Sequence, residues 1–283
     1  MEKTEQQQLA KLATQIRLDT IEAIQHIGAG HIGGSLSVVD LLAVLYGKQM
    51  KYDVKNPQWE KRDRLVLSKG HAGVALYSAL AAVGFFTKEW LVTVNQGGTR
   101  LPSHPDRLKT PGIDATTGSL GQGTSIAAGI ATGLKIKGST NYVYLIVGDG
   151  ELNEGQCWEA FQYLAHFKLN NCIVLVDENK KQLDGCNKEI LNPFDLVKKM
   201  AAFGFYTMKV KGNDLLAINA AIDHVKTIKN QAVCIILDTI KGQGIEYFER
   251  LTENHSVKFD NESIKKTTQE ILATLRQQLK ERE

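Results

Sequence analysis

Tyr142-Val143-Tyr144-Leu145-Ile146-Val147 is an unbroken apolar run that stops on Gly148-Asp149-Gly150-Glu151. A second run, Cys172-Ile173-Val174-Leu175-Val176, passes through Asp177 and Glu178 to Asn179, thirty positions after Asp149. Strands that are apolar along their whole length are buried on both faces, as in a parallel sheet covered by helices. The segment between the two runs, about 154–167, has the pattern of the crossover helix that parallel strands require.

The same pattern extends outward. Phe205–Val210 and Val233–Asp238 read as two more strands, separated by a helix at 214–228. Arg64–Ser68 is a short buried strand that runs into Lys69-Gly70-His71 and an Ala/Leu-rich helix, 72–84. Leu9, Leu12, Ala13, Ile16, Leu18, Ile21 and Ile24 fall at helical spacing within 5–26. The glycine-rich stretch Gly28–Gly34 reads as a turn, with Ser35 or Ser37 as cap of a helix over 38–47. Residues 95–117 have loop chemistry, Gly118–Gly123 opens a helix over 124–137, and 261–283 reads as a charged surface helix. The fold class is therefore α/β: a doubly wound, mostly parallel sheet with helices on both faces.

Composition narrows the function classes. The chain has 283 residues, 43% hydrophobic and 23% charged, which suits one large α/β domain. A net charge of +3, from scattered basic residues, gives no nucleic-acid footprint. No apolar run is long enough for a membrane span, and the polar N-terminus lacks a signal core, so a cytoplasmic protein is expected. Cys157, Cys172, Cys186 and Cys234 show no C-x-x-C spacing and read as reduced thiols.

Ligands of doubly wound sheets gather at the carboxyl ends of the strands. Asp149 and Asn179 are hard oxygen donors at two neighbouring ends, and with diphosphate oxygens they suit Mg2+ or Ca2+. Gly148 and Gly150 allow a close backbone approach, and the following helix adds a positive end for phosphate. A lone Gly-Asp-Gly is often only a tight turn. Its pairing with Asn179 across a helix is the specific signal.

Read together, GAGHIGGSLSVVDLLAVLY, RDRLVLSKGHAGVALY, LPSHPD, TGSLGQG, VGDGELNEGQCWEA, VDENKKQLDG and TIKGQG resemble the N-terminal, diphosphate-binding domain of transketolases across nearly the whole chain. The resemblance implies a thiamine diphosphate-binding fold. Asp149 and Asn179, with a backbone carbonyl near Lys181, would hold the metal. Gly148, Gly150 and Glu151 belong to the implied diphosphate site, and Gly118 and Leu120 would lie along the cofactor. His31, His71, His104 and His255 would line the channel to the reactive carbon. His31 and His255 would transfer protons, His104 would bond the donor's terminal hydroxyl, and His71 would touch diphosphate and substrate. Glu154 matches an acid through which two active sites communicate across a dimer. The remaining histidines, His26, His166 and His224, sit on helix patterns and read as structural.

Transketolases continue into pyrimidine-binding and C-terminal domains, for which this chain has no room. The resemblance thus implies one half of a split transketolase, active on sugars or sugar phosphates with a C-terminal subunit on a separate chain, as a heterotetramer. The glutamate that activates the cofactor would come from that chain. Two positions depart from the family: Lys181 stands where Ile or Leu is usual, and Ser256 follows His255 in place of Gly. The clamp alone also suits a deoxyxylulose phosphate synthase, the α subunit of a 2-oxo acid dehydrogenase, or a non-catalytic cofactor-binding module. Gly70-His71 and Ser103-His104-Pro105 favour transketolase.

Overall fold

Alternate residues of the central strands feed two different cores in the computed structural model, which describes residues 3–183 and 185–282. The chain opens with α1 (Lys3–Ile27), β1 (Ala29–Gly30), α2 (Ile32–Leu36) and α3 (Val39–Val44). After β2 (Arg64–Leu67) and α4 (Gly73–Ala82), a long irregular stretch leads to α5 (Gln122–Ile136). The next elements are β3 (Val143–Gly148), α6 (Gly155–His166) and β4 (Cys172–Glu178). A small hairpin, β5 (Lys181–Gln182) and β6 (Gly185–Cys186), continues into α7 (Asn187–Ile190) and α8 (Leu196–Ala202). β7 (Phe205–Lys211), α9 (Leu215–Val225), β8 (Ala232–Asp238), α10 (Glu246–Arg250), β9 (Val257–Lys258) and α11 (Glu262–Lys280) follow.

Five strands form one parallel sheet in the order β2-β3-β4-β8-β7. Tyr144, Ile146, Ile173, Leu175, Val233 and Ile235 pack with Ile16, Leu41, Tyr77 and Ile222 of α1, α3, α4 and α9. Val143, Leu145, Val147, Val174, Val176 and Ile236 pack with Ala127, Phe161 and Met200 of α5, α6 and α8. Each such side chain contributes about 1.5–3 kcal/mol on leaving water, so both faces hold the sheet. The doubly wound, two-faced sheet read from the apolar runs is the observed one. Gly148 pairs with Asp177 in register, so β3 and β4 end nearly level and carry Asp149 and Asn179 just beyond them.

Several local readings differ. The stretch taken as a turn, Gly28–Gly34, contains β1, paired antiparallel with β9 through Ala29↔Lys258 and Gly30↔Val257, and the start of α2. Such short elements leave no periodicity to read. Neither Ser35 nor Ser37 caps α3; its N-cap is Val38, without a side-chain bond. The Ser37 hydroxyl donates instead to Asp177 Oδ2 at 2.7 Å. α3 ends at Val44 and passes into a single π turn, Leu45–Gln49. α11 exposes its polar face but buries Ile264, Leu272 and Leu275 in the same core as α1. No helix among the described residues is long and apolar enough to cross a membrane.

Candidate active site

A cleft of about 400 Å³ opens beyond the carboxyl ends of β2, β3, β4 and β8, within the size range of cofactor sites. Its walls hold all four singled-out histidines, Gly118, Leu120, the run Gly148–Glu151, Glu154, Asn179 and Lys181. They also hold Lys69, Gln182, Leu183 and Lys241, which no motif in the sequence marks as functional.

The floor consists of two carboxyls with opposite electrostatics. Asp149 is 1% exposed; Oδ1 accepts from Gly150 N at 2.9 Å and Oδ2 from Lys180 N at 2.6 Å. Burial, then the neighbouring charge of Asp177, pushes its pKa up to about 7. Asp177 is fully buried, and burial alone would raise it too. The Lys69 ammonium at 2.6 Å, with the hydroxyls of Thr239 and Ser37, outweighs that and holds it below the usual carboxylate range. One carboxyl is thus neutralised by the protein, and the other has no positive partner among the described residues.

Asn179 lies beside them. Its Nδ2 donates to Asp177 Oδ2 at 2.8 Å, and its Oδ1 accepts from Lys181 N at 3.1 Å. A buried carboxyl without a counter-charge and an amide oxygen fit a hard divalent cation. No group of three His, Cys, Asp or Glu side chains that could hold a metal occurs among the described residues. A cation here would therefore complete its shell with backbone carbonyls and ligand oxygens.

Gly150 is required by the protein itself, since a Cβ there would stand 2.6 Å from the Cβ of Gln182. Glu151 points its carboxylate into the protein, where it accepts from Ser68 Oγ, Gly121 N and Gly148 N. It ties together the loop ends that bound the cleft. The helix read at about 154–167 is α6, which begins at Gly155. A 3-10 turn, Glu151–Asn153, precedes it, and Glu154 is the N-cap of α6, exposed at the cleft's lip.

Four imidazoles converge above this floor. The His31 ring centroid lies 5.6 Å from that of His71, 6.1 Å from His104 and 5.1 Å from His255; His71 and His255 are 5.1 Å apart. They arrive from loops around α2, after β2, before α5 and after α10. The position of His255 depends on Gly33, whose N–H donates to Asn254 O at 3.0 Å. A Cβ at Gly33 would stand 2.3 Å from that oxygen. Ser256, in place of the family glycine, does not keep His255 out of the cluster.

Burial, then the positive Lys69 and the neighbouring histidines, drives His71 well below the usual histidine range. His31 falls for burial, then His104 and Lys241; His104 falls by burial. These three rings are neutral at neutral pH. Lys241 Nζ lies 3.1 Å from His255 Nδ1.

The ammonium of Lys181 reaches the carbonyls of Leu251 at 3.1 Å and Thr252 at 3.4 Å. Its charge is directed at backbone oxygens just past α10 while its stem lines the cleft. His224, read as structural, bonds Tyr206 OH through Nε2 at 2.8 Å. A second cavity, between α1 and α11, is lined by charges that pair with each other: Lys88 with Asp19 and Glu22, and Arg276 with Glu22.

Comparison with known proteins agrees with this geometry. The family described as "Transketolase, thiamine diphosphate binding domain" matches residues 8–277. The chain is 45% identical to the 6-deoxy-6-sulfo-D-fructose transketolase subunit of Clostridium sp. (strain MSTE9), over 92% of this chain and 94% of that protein. It is 38% identical to an apulose-4-phosphate transketolase subunit of Actinobacillus succinogenes, over 80% and 82%. The Campylobacter jejuni transketolase structure superposes with a TM-score of 0.86 at 30% identity, covering 96% of this chain and 43% of that one. A two-faced parallel sheet, a cation-ready floor, four convergent imidazoles and a family match over residues 8–277 together show that the chain belongs to the transketolase family, as its thiamine diphosphate-binding domain.

Proposed function

We propose that this chain is the diphosphate-binding subunit of a two-chain transketolase, which moves a two-carbon ketol unit reversibly from a ketose to an aldose. The observation that carries the reading is the convergence of four imidazoles with Asp149 and Asn179 on one cleft. Thiamine diphosphate, when bound, supplies the electron sink for breaking the bond beside the ketose carbonyl. Asp149, Asn179 and a backbone carbonyl near Lys181 would hold Mg2+ or Ca2+, and His71 would contact the diphosphate and the substrate. His31 and His255 take and return hydroxyl protons; a neutral imidazole such as His31 can accept one at neutral pH. His104 bonds the donor's terminal hydroxyl, and Glu154 links paired sites across a dimer.

A partner polypeptide supplies the pyrimidine-binding half and the activating glutamate, in an assembly with two copies of each chain. The split arrangement is supported by the relatives that this chain spans almost end to end and that are themselves named subunits. The chain spans 40% of the transketolase of Buchnera aphidicola subsp. Schizaphis graminum, at 33% identity. The test is ketol transfer from xylulose 5-phosphate to ribose 5-phosphate, with thiamine diphosphate and Mg2+. The chain is assayed alone and mixed with the product of the adjacent reading frame, expecting activity only in the mixture. A parallel assay with 6-deoxy-6-sulfo-D-fructose as donor follows from the 45% identical relative named for it. Full activity of the chain alone refutes the two-chain reading. A mixture that assembles with bound cofactor but transfers from neither donor refutes the transfer reading for those sugars.

A further inference from the structure

The hairpin region beside and behind the cleft carries more hydrogen-bonding capacity than the described residues use. Asn187 is 2% exposed, yet neither its Oδ1 nor its Nδ2 meets a partner among the described residues. Gln182, in the cleft wall, is only half-buried, but its Nε2 is covered and has no partner among the described residues. Both belong to the hairpin region after β4. Asn187 N donates to Lys180 O at 3.0 Å, which brings the start of α7 against the Asp149 loop. Both side chains approach the same glycine: a Cβ on Gly150 would stand 2.6 Å from Gln182 Cβ and 3.5 Å from Asn187 Oδ1. Asn187 is also close enough to Asp149 to help stabilise its charge, as the weakest of the influences on that carboxyl, without a hydrogen bond of regular geometry.

Buried amides left unmatched cost free energy that is recovered only when something supplies the partner. The side of the site they occupy is the cation–diphosphate end. Neutral amides suit that position, because they donate to phosphate oxygens without repelling a cation. We propose that Gln182 and Asn187 form an amide bracket for the diphosphate–cation end of the cofactor. Gln182 donates to a phosphate oxygen from the cleft wall. Asn187, which does not line the cleft, is a positioning residue that steadies Asp149 from behind. The bracket rests on the reading that the site takes thiamine diphosphate with a divalent metal.

The test compares wild type, Gln182→Leu, Asn187→Leu and the double variant, as the full chain and as its complex with the partner polypeptide. Thermal midpoints are measured without ligand. Calorimetry then gives affinities for Mg2+–thiamine diphosphate and for Mg2+–pyrophosphate, which probes that end alone. Each single variant should keep or raise the ligand-free midpoint and lose about tenfold in affinity for both probes. Asn187→Leu should also raise the Mg2+ concentration needed for half-saturation at fixed cofactor. Unchanged affinities would mean that ordered water satisfies the amides, and would overturn the bracket. A lower ligand-free midpoint with affinity retained would overturn it in favour of packing. A wild type that binds neither probe overturns the reading of the site, and the bracket with it; a binding wild type with unaffected variants sinks the bracket alone.

Discussion

Replacing Lys69 with Met should cost the fold about 3–5 kcal/mol, because it strips the ammonium paired with a fully buried carboxylate. Lys69 is itself buried, and its Nζ serves Asp177 Oδ2 at 2.6 Å, Gly34 O at 2.8 Å and Ser37 Oγ at 3.3 Å. Breaking a buried pair from one side carries that penalty since the remaining charge has no counter-charge. Three donors stay on Asp177, from Ser37, Asn179 and Thr239, and Met fills much of the vacated volume, so the lower half of the range is expected. Urea unfolding of the purified chain should show a midpoint lower by about 1 M if the slope is about 3 kcal/mol/M.

The pH dependence gives the sharper test. In the wild type Asp177 is held below its unfolded value, so its stabilisation is present above about pH 4 and lost as pH falls through the folded value. Without Lys69, burial dominates and raises that carboxyl, so protonation relieves the variant. The gap between wild type and variant should narrow from pH 8 towards pH 5. Lys69→Met/Asp177→Leu should recover much of the loss. A penalty below about 1 kcal/mol, or a gap that stays constant with pH, would refute the assignment of Lys69 as the neutralising partner.

Other consequences are open to simpler measurements. Asp149→Ala should abolish metal-dependent binding of thiamine diphosphate while leaving the circular dichroism spectrum unchanged; normal binding would remove Asp149 from the metal site. Because Asp149 is pushed up to about 7, protons should compete with the cation below that pH, weakening Mg2+ binding by about tenfold per pH unit at most. The sign for the ligand-free fold is opposite to that of Asp177: Asp149's contribution is present below about pH 4 and lost as pH rises to 7. Gly33→Ala forces a Cβ onto Asn254 O and should cost about 1–3 kcal/mol, with amide shifts concentrated at 251–256 in NMR spectra. Lys181→Ile, which frees the carbonyls of Leu251 and Thr252, should speed hydrogen exchange at 251–256 and tighten cofactor binding; unchanged exchange would show that the ammonium does not hold that segment.

The parts of this molecule readable from sequence are those with local, repeated physics. The strands announce themselves because burial on both faces demands unbroken apolar runs along β3, β4 and β8 up to their carboxyl ends. Asp149 and Asn179 stand out because each comes within three positions of the end of such a run. The misread parts depend on pairings between distant residues. Ser37 looks like a helix cap until Asp177, 140 positions away, accepts its hydrogen bond. Lys69 looks like one cation among many until the same carboxylate claims it across 108 positions. The β5–β6 hairpin is too short for alternation, so nothing in the chain singles out Gln182 within VDENKKQLDG, or Asn187 beyond it. The locking of Lys181 onto carbonyls beyond α10 is equally hidden, since spacing shows only that a charge stands where an apolar side chain is usual.

Asp177 has a consequence for how the chain reaches this structure. Its four donors, Ser37, Lys69, Asn179 and Thr239, sit on separate segments, and three of them lie 140, 108 and 62 positions from it. The carboxylate cannot be satisfied piecemeal during synthesis: when β4 leaves the ribosome, Thr239 has yet to be made. Closing such long loops is entropically slow, so the pocket floor should be among the last features to consolidate. A nascent chain that lacks β8 would then carry only part of the sheet and no usable cofactor site. Cofactor capture would thereby report on completion of the whole domain.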